Sequence, residues 1–350
     1  MKLFLIAALV STLPAVSECA AADREAPKRP RISNEEMAAM AGVGPDGTFG
    51  PSDNFGRVLN EALKRAPVAL NGMRAQHVNV TYGEHDRNRF DLWMVTSKVP
   101  TPLVVFIHGG GFRRGDKALL YDSKTLSELL DAGISVAAIN YRFASQSPDR
   151  VVGCLRDAAR FIQFVRYHSE LYNVDKNRIG CFGGSAGASA SLWLAFRDDR
   201  ADPKSEDPVA RESTRIACAG ATSTPSTSNV LAWVDILGIS RDQAMGFARA
   251  LGRLAEDEDL ESPEFVRIRN ESDPLRWMSA DDPPIYLFNN ETGEVPTHYG
   301  HMGHHPNHVK VLKNRASQLG IEVVAYAPEI GIKDPSGEDL VGFFVRLLKP

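Results

Sequence analysis

Cysteine is scarce, with four residues in a chain of 350. Cys19 lies close to the N-terminus. If Cys19 is removed with the N-terminal segment, Cys154, Cys181 and Cys218 remain, an odd number that excludes a full set of internal disulfides. Cys181 and Cys218 fall in apolar, strand-like runs, where a free thiol behaves as a small hydrophobe. No cysteine spacing suits a zinc–thiolate site. Basic tracts are also missing and the net charge is −4, which argues against nucleic acid as a partner. No apolar run is long enough to span a membrane; Leu3–Val16 is the candidate, and it is too short and too poorly flanked. With Lys2 before it and Ala20-Ala21-Ala22 after it, the run reads as a secretory signal cleaved near Ala22. Glu18 disfavours a lipidated Cys19. The expectation is a secreted or periplasmic protein.

What is present is a regular alternation. Residues 23–73 are rich in Pro, Gly and charge and read as a linker with one or two short helices. From about Arg74 strands and helices follow one another to Pro350. "PLVVFIHGG" and "ISVAAINYR" are continuous apolar runs, as expected for strands buried on both faces. "VVGCLRDAARFIQFVRYH" is amphipathic at helical spacing, and "RIGCFGG" leads into the helical "AGASASLWLAF". Residues 224–282 break the alternation with helical stretches and no clear strand. The pattern then resumes through "PIYLFNN", "PNHVKVLKNRASQLG", "IEVVAYAP" and "GEDLVGFFVRLL". Such alternation implies an α/β fold with a mostly parallel sheet covered on both faces.

Two motifs carry chemistry. Gly183-Gly184-Ser185-Ala186-Gly187 fits G-x-S-x-G, a sharp strand-to-helix turn that presents a nucleophilic serine. The glycines leave room for the crossing, and the Ala186 amide opens a helix whose dipole favours an anion. Earlier, "FIHGGGF" ends a buried strand at His108-Gly109-Gly110-Gly111-Phe112. Its glycines let backbone N–H groups approach a ligand. Gly110, Gly111 and Ala186 are the expected oxyanion-hole donors. His108 precedes the turn on the scaffold side and is expected to be a structural hydrogen-bonding residue rather than a base.

From Arg74 to Pro350 the chain resembles the α/β-hydrolase family, in the branch of hormone-sensitive-lipase and feruloyl-esterase (BD-FAE-like) carboxylesterases. The resemblance rests on "HGGGF", on "NYR" at Asn140–Arg142 and on "VDKNRIGCFGGSAGA", in matching order and spacing. It implies an eight-stranded sheet, hydrolysis of small carboxylic esters through an acyl-enzyme on Ser185, no cofactor, and a small helical lid at about 224–282.

The pattern breaks at the other two triad positions. After the seventh strand the family places an Asp; this chain has "NNETGEVP", where Glu291 is the nearest substitute and Glu294 the next. After the last strand the family places a His; this chain has "APEIGIKDPSG", and no histidine occurs beyond His308. Histidines crowd instead into "THYGHMGHHPNH", at His298, His301, His304, His305 and His308. Read as a loop, this segment borders the pocket, so a base from it approaches Ser185 from the usual acid's side. His304 and His305 are the candidates. Pro306 restricts the backbone of His305, which favours His305. Glu291, or Glu329 or Asp334 from the loop after the last strand, is the candidate acid. His298, His301 and His308 are expected to be solvated. Two other readings stay open: a non-catalytic ligand-binding protein on the same fold, and a metal site within the histidine segment.

Overall fold

The computed structural model describes residues 54–250 and 262–349. The expected signal segment, most of the expected linker and Cys19 lie outside the described residues. Eight strands form one sheet in the order β1-β2-β4-β3-β5-β6-β7-β8. They are β1 (His77–Thr81), β2 (Arg89–Trp93), β3 (Thr101–Ile107), β4 (Ser135–Ile139), β5 (Val174–Gly184), β6 (Cys218–Thr222), β7 (Ile285–Phe288) and β8 (Val323–Tyr326). The pairings β1–β2 and β2–β4 are antiparallel, and every later pairing is parallel.

Alternation along β3 separates the two faces. Leu103, Val105 and Ile107 join one apolar cluster, while Val104 and Phe106 join another. The first cluster is closed by α3 (Val151–Tyr167), α4 (Ala186–Phe196) and α10 (Asn307–Leu319). The second is closed by α1 (Asn54–Leu63), α2 (Lys124–Asp131) and α11 (Leu340–Leu348). Local signals set the helix ends. Ser123 Oγ accepts from the Leu126 amide at the start of α2, and Gly133 follows its end at φ 75°. The fold therefore starts earlier than residue 74. Phe55 and Ala62 of α1, and Ala69 after it, are buried in the second cluster, because an amphipathic helix needs an apolar surface to cover.

Between β6 and β7 the chain forms a helical insert: α5 (Trp233–Leu237), α6 (Arg241–Ala250), α7 (Pro263–Ser272) and α8 (Pro274–Trp277). It has its own small core, with Trp233, Phe247 and Phe265 packed together with Met302. Met302 belongs to α9 (Tyr299–His304), the short helix that follows β7. The insert thus clamps the histidine segment. Cys154, Cys181 and Cys218 are free and buried. Among the described residues no helix is long and apolar enough to cross a membrane.

Candidate active site

Ser185 stands at the point where β5 ends and α4 begins. Its backbone is at φ 52°, ψ −114°, a conformation a non-glycine residue adopts only under external constraint. The constraint is visible in the two flanking glycines. A Cβ on Gly183 would lie 2.2 Å from the Ile107 carbonyl oxygen, and one on Gly187 would lie 1.8 Å from the same atom. The turn therefore presses directly on the end of β3, which only glycine allows at both positions. Ser185 donates its backbone N–H to Thr222 O of β6 at 3.0 Å, tying the turn to the neighbouring strand as well.

The glycine turn after β3 is braced from behind. Gly110 is at φ 110° and Gly111 at φ 64°, and a Cβ on Gly110 would meet Arg114 O at 2.2 Å. His108 Nδ1 donates to Gly109 O at 2.8 Å, and its ring stacks on Tyr141 at 4.2 Å. Tyr141 donates its hydroxyl to His108 O at 2.7 Å. Arg87 reaches in to donate to Tyr141 O and Gly115 O, each at 2.9 Å, and lies 3.4 Å from His108 Nε2. Burial, with the Arg87 charge added, pushes the His108 imidazole down to about 4, so it is neutral at ordinary pH. His108 and the "NYR" tyrosine are thus parts of the scaffold. Arg87 has no motif around it and was invisible in the sequence.

His304 is the histidine that reaches the serine. Its Nε2 lies 2.8 Å from Ser185 Oγ, and both residues are buried. Burial pushes its imidazole down to about 4, with smaller contributions from His301 and His298. The neutral ring can accept the Ser185 proton, and Nδ1 then carries the imidazole hydrogen. His304 ends α9, and its carbonyl accepts a 2.6 Å hydrogen bond from Asn289 Nδ2. Asn289, at the end of β7, is fully buried, and its Oδ1 accepts from the Glu291 amide at 2.9 Å.

His305, favoured on the sequence, faces elsewhere. Pro306 does hold it extended, at φ −65°, ψ 137°, but that direction carries the ring to Glu294 O at 3.0 Å. The physics of the residue before proline holds; the direction it selects is away from Ser185. Glu291 is exposed. Neither it nor Glu294, Glu329 or Asp334 bonds His304, and among the described residues no carboxylate pairs with that ring. Asp334 instead holds the amide and hydroxyl of Ser336.

His301 and His308, expected to be solvated, are buried, because the segment folds as a helix under the insert. Their rings serve as internal ties. His298 Nδ1 caps α9 by accepting from the His301 amide, and His301 Nε2 donates to Thr292 O at 2.8 Å. His308 donates from Nε2 to Met302 O and accepts from Ser226 Oγ at Nδ1, each at 3.0 Å. With these nitrogens committed, the segment presents no metal cage. Among the described residues no group of three or more His, Cys, Asp or Glu is arranged to hold an ion.

A small, partly open cleft lies beside the glycine turn. One wall is Gly111, Phe112, Ala144 and Val151; the other is Phe265, Ile268, Arg269 and Ser272 of α7. The α7 residues recur at spacings of three and four, so one helix face lines the cleft.

A parallel-dominated sheet in this strand order, with a strained serine where its fifth strand enters a helix, defines the α/β-hydrolase class. Within it the chain belongs to the BD-FAE family, whose model matches residues 90–299, more than half of the chain. The match ends just before His304. The chain is 29% identical over 212 residues to a probable isoprenylcysteine alpha-carbonyl methylesterase of Arabidopsis thaliana, covering 60% of this chain and 42% of that protein. It is 25% identical over 263 residues to a probable carboxylic ester hydrolase of Mycobacterium tuberculosis, covering 71% and 57%. The chain thus spans about half the length of these relatives. Among solved structures it resembles an acetyl ester-xyloside bifunctional hydrolase from Caldicellulosiruptor lactoaceticus, with TM-score 0.51, 23% identity and coverage of 71% and 80%. It also resembles a truncated carbohydrate esterase from gut microbiota, with TM-score 0.55, 18% identity and coverage of 78% and 96%. At these identities the structural likeness speaks to the fold.

Proposed function

We propose that the protein is a serine hydrolase of small carboxylic esters that works with a Ser185–His304 dyad. The observation that carries this reading is the 2.8 Å contact between His304 Nε2 and Ser185 Oγ at a strained nucleophile turn. His304 takes the Ser185 proton as Oγ attacks the ester carbonyl. The tetrahedral oxyanion is received by the backbone amides of Gly110, Gly111 and Ala186, the last at the N-terminus of α4. His304 then returns the proton to the departing alkoxide, leaving an acyl group on Ser185. Water enters by the reverse sequence, with His304 again as base.

Among the described residues no carboxylate takes the third place, which in a triad orients the imidazole and stabilises the imidazolium. Orientation falls instead to the backbone of α9, held by Asn289 and by the insert packed on Met302. Among the described residues stabilisation of the charged ring has no such substitute. That same observation favours a second reading, a ligand-binding protein that keeps the fold without turnover. Fluorophosphonate labelling separates the two. The dyad reading expects covalent labelling of the wild type and none of Ser185→Ala. An unlabelled wild type assigns the protein to the second reading.

A further inference from the structure

We propose that the cleft beside the glycine turn selects esters that carry a carboxylate, and that Arg269 is the residue that pairs with it. This rests on the hydrolase reading, since it names the substrate class of the same site. Three observations point to it. First, the cleft begins at Gly111, where the ester carbonyl is to be received, and runs along α7. Second, Arg269 faces it, and none of the described residues that line it is acidic. Among the described residues, Asp149 is engaged with Arg156 and Arg267, Glu271 with Arg197 and Arg200, and Asp273 with Thr227. Third, Arg269 is half-buried and its guanidinium makes no hydrogen bond or ion pair among the described residues, whereas Arg267, two residues earlier, is paired with Asp149.

Position makes this more than a surface charge. On α7, Phe265, Ile268, Arg269 and Ser272 share one face, and the other large side chains of that face are apolar. A cation placed on the apolar face of a helix, beside a cleft, is poorly hydrated and gains most from an anion that fills the space. The planar guanidinium offers two parallel N–H donors to a carboxylate. Phe112, Phe265, Ile268 and Val151 give the hydrocarbon part of such a molecule an apolar wall. The ligand class is therefore an amphiphilic monoanion, a carboxylate joined by a short hydrophobic body to the ester.

The test uses two matched pairs of esters. In one the charge is on the alcohol side: para-acetoxybenzoate against para-acetoxybenzamide. In the other it is on the acyl side: the p-nitrophenyl monoester of suberate against p-nitrophenyl octanoate. The expected result, in at least one pair, is a preference in kcat/KM for the anion of roughly tenfold, the scale of one charge-assisted hydrogen bond. The ratio falls to near one in Arg269→Gln and is kept in part in Arg269→Lys, which preserves the charge but not the paired donors. Binding of the same compounds to Ser185→Ala is measured by calorimetry, so that the answer does not depend on turnover. Hydrolysis with no preference in either pair, or a preference that survives Arg269→Gln, overturns the carboxylate site and leaves the hydrolase reading intact. Absent hydrolysis, with Arg269-dependent binding of the anion, upholds the carboxylate site while the hydrolase reading falls.

Discussion

The segment after β7 and the segment after β8 differ in character. After β8, residues 328–339 form an exposed turn that folds on itself, with Asp334 serving Ser336 and no histidine present. After β7, residues 289–308 hold five histidines, of which His301, His304, His305 and His308 are buried and committed to specific partners. One region is solvent-facing and self-contained. The other is packed under the insert and delivers an imidazole to Ser185. On the dyad we propose, the base comes from the segment packed under the insert and not from the loop after β8.

The comparison breaks most severely if the nucleophile turn itself is disturbed. Gly187→Ala puts a Cβ 1.8 Å from the Ile107 carbonyl oxygen, a backbone atom that cannot step aside. Loss of soluble, folded protein is expected, on the order of 3 kcal/mol or more. Circular dichroism and expression yield check this; a normally folded Gly187→Ala would mean that the turn is not held against β3.

A second break is acid. His108 and His304 are pushed down to about 4 and His308 to about 3, all chiefly by burial, against an unfolded value of about 6.5. Their folded pKa values lie below the unfolded ones, so the unfolded chain binds more protons in this window. Stability from them is complete above about pH 6.5 and is lost as pH falls towards about 4. At pH 5 each costs roughly 1–2 kcal/mol. Asp282, pushed up to about 6 by burial, acts in the opposite direction, so the net loss is smaller than the sum. A melting temperature that falls between pH 7.5 and pH 5 is expected; one that rises would show that the buried imidazoles do not govern stability in this window.

A third change sharpens the role of α9. Asn289→Ala removes the donor to the His304 carbonyl and leaves a buried acceptor without its partner. The expected costs are about 1–3 kcal/mol in stability and, through a displaced imidazole, about tenfold or more in rate. Equilibrium unfolding and kcat/KM measure the two separately, and an unchanged rate would show that Asn289 does not position the base. At the small end, Glu329→Gln and Asp334→Asn, in the loop after β8, should each change activity by less than about twofold, since neither side chain bonds His304 and surface substitutions away from such contacts are usually near neutral. A large loss at either would put an acid back behind His304.

The sequence made these regions unequally legible. The nucleophile turn and the glycine turn were readable because each is a local demand: the glycines needed for close approach are neighbours of the residue they serve. The same holds for the strands, whose burial on both faces shows as unbroken apolar runs. The histidine segment was not readable in this way. Gly300 and Gly303 are poor helix formers, and they hid a helix that exists because His298 caps it and the insert packs on it. Gly303 in fact lets the Phe247 ring approach, since a Cβ there would lie 3.2 Å from it. Without that helix, the choice between His304 at its last position and His305 just beyond could not be made. Arg87, Asn289 and Arg269 matter through partners far away in sequence, and no short pattern marks them.

The central claim is that His304, and not its neighbour, is the base for Ser185. It is tested most directly by kcat/KM for p-nitrophenyl acetate in the wild type, His304→Ala and His305→Ala. A loss of about 10²–10⁴ is expected for His304→Ala, the usual worth of a general base, and of less than about tenfold for His305→Ala. An active wild type in which His304→Ala costs less than tenfold, or costs no more than His305→Ala, would contradict it.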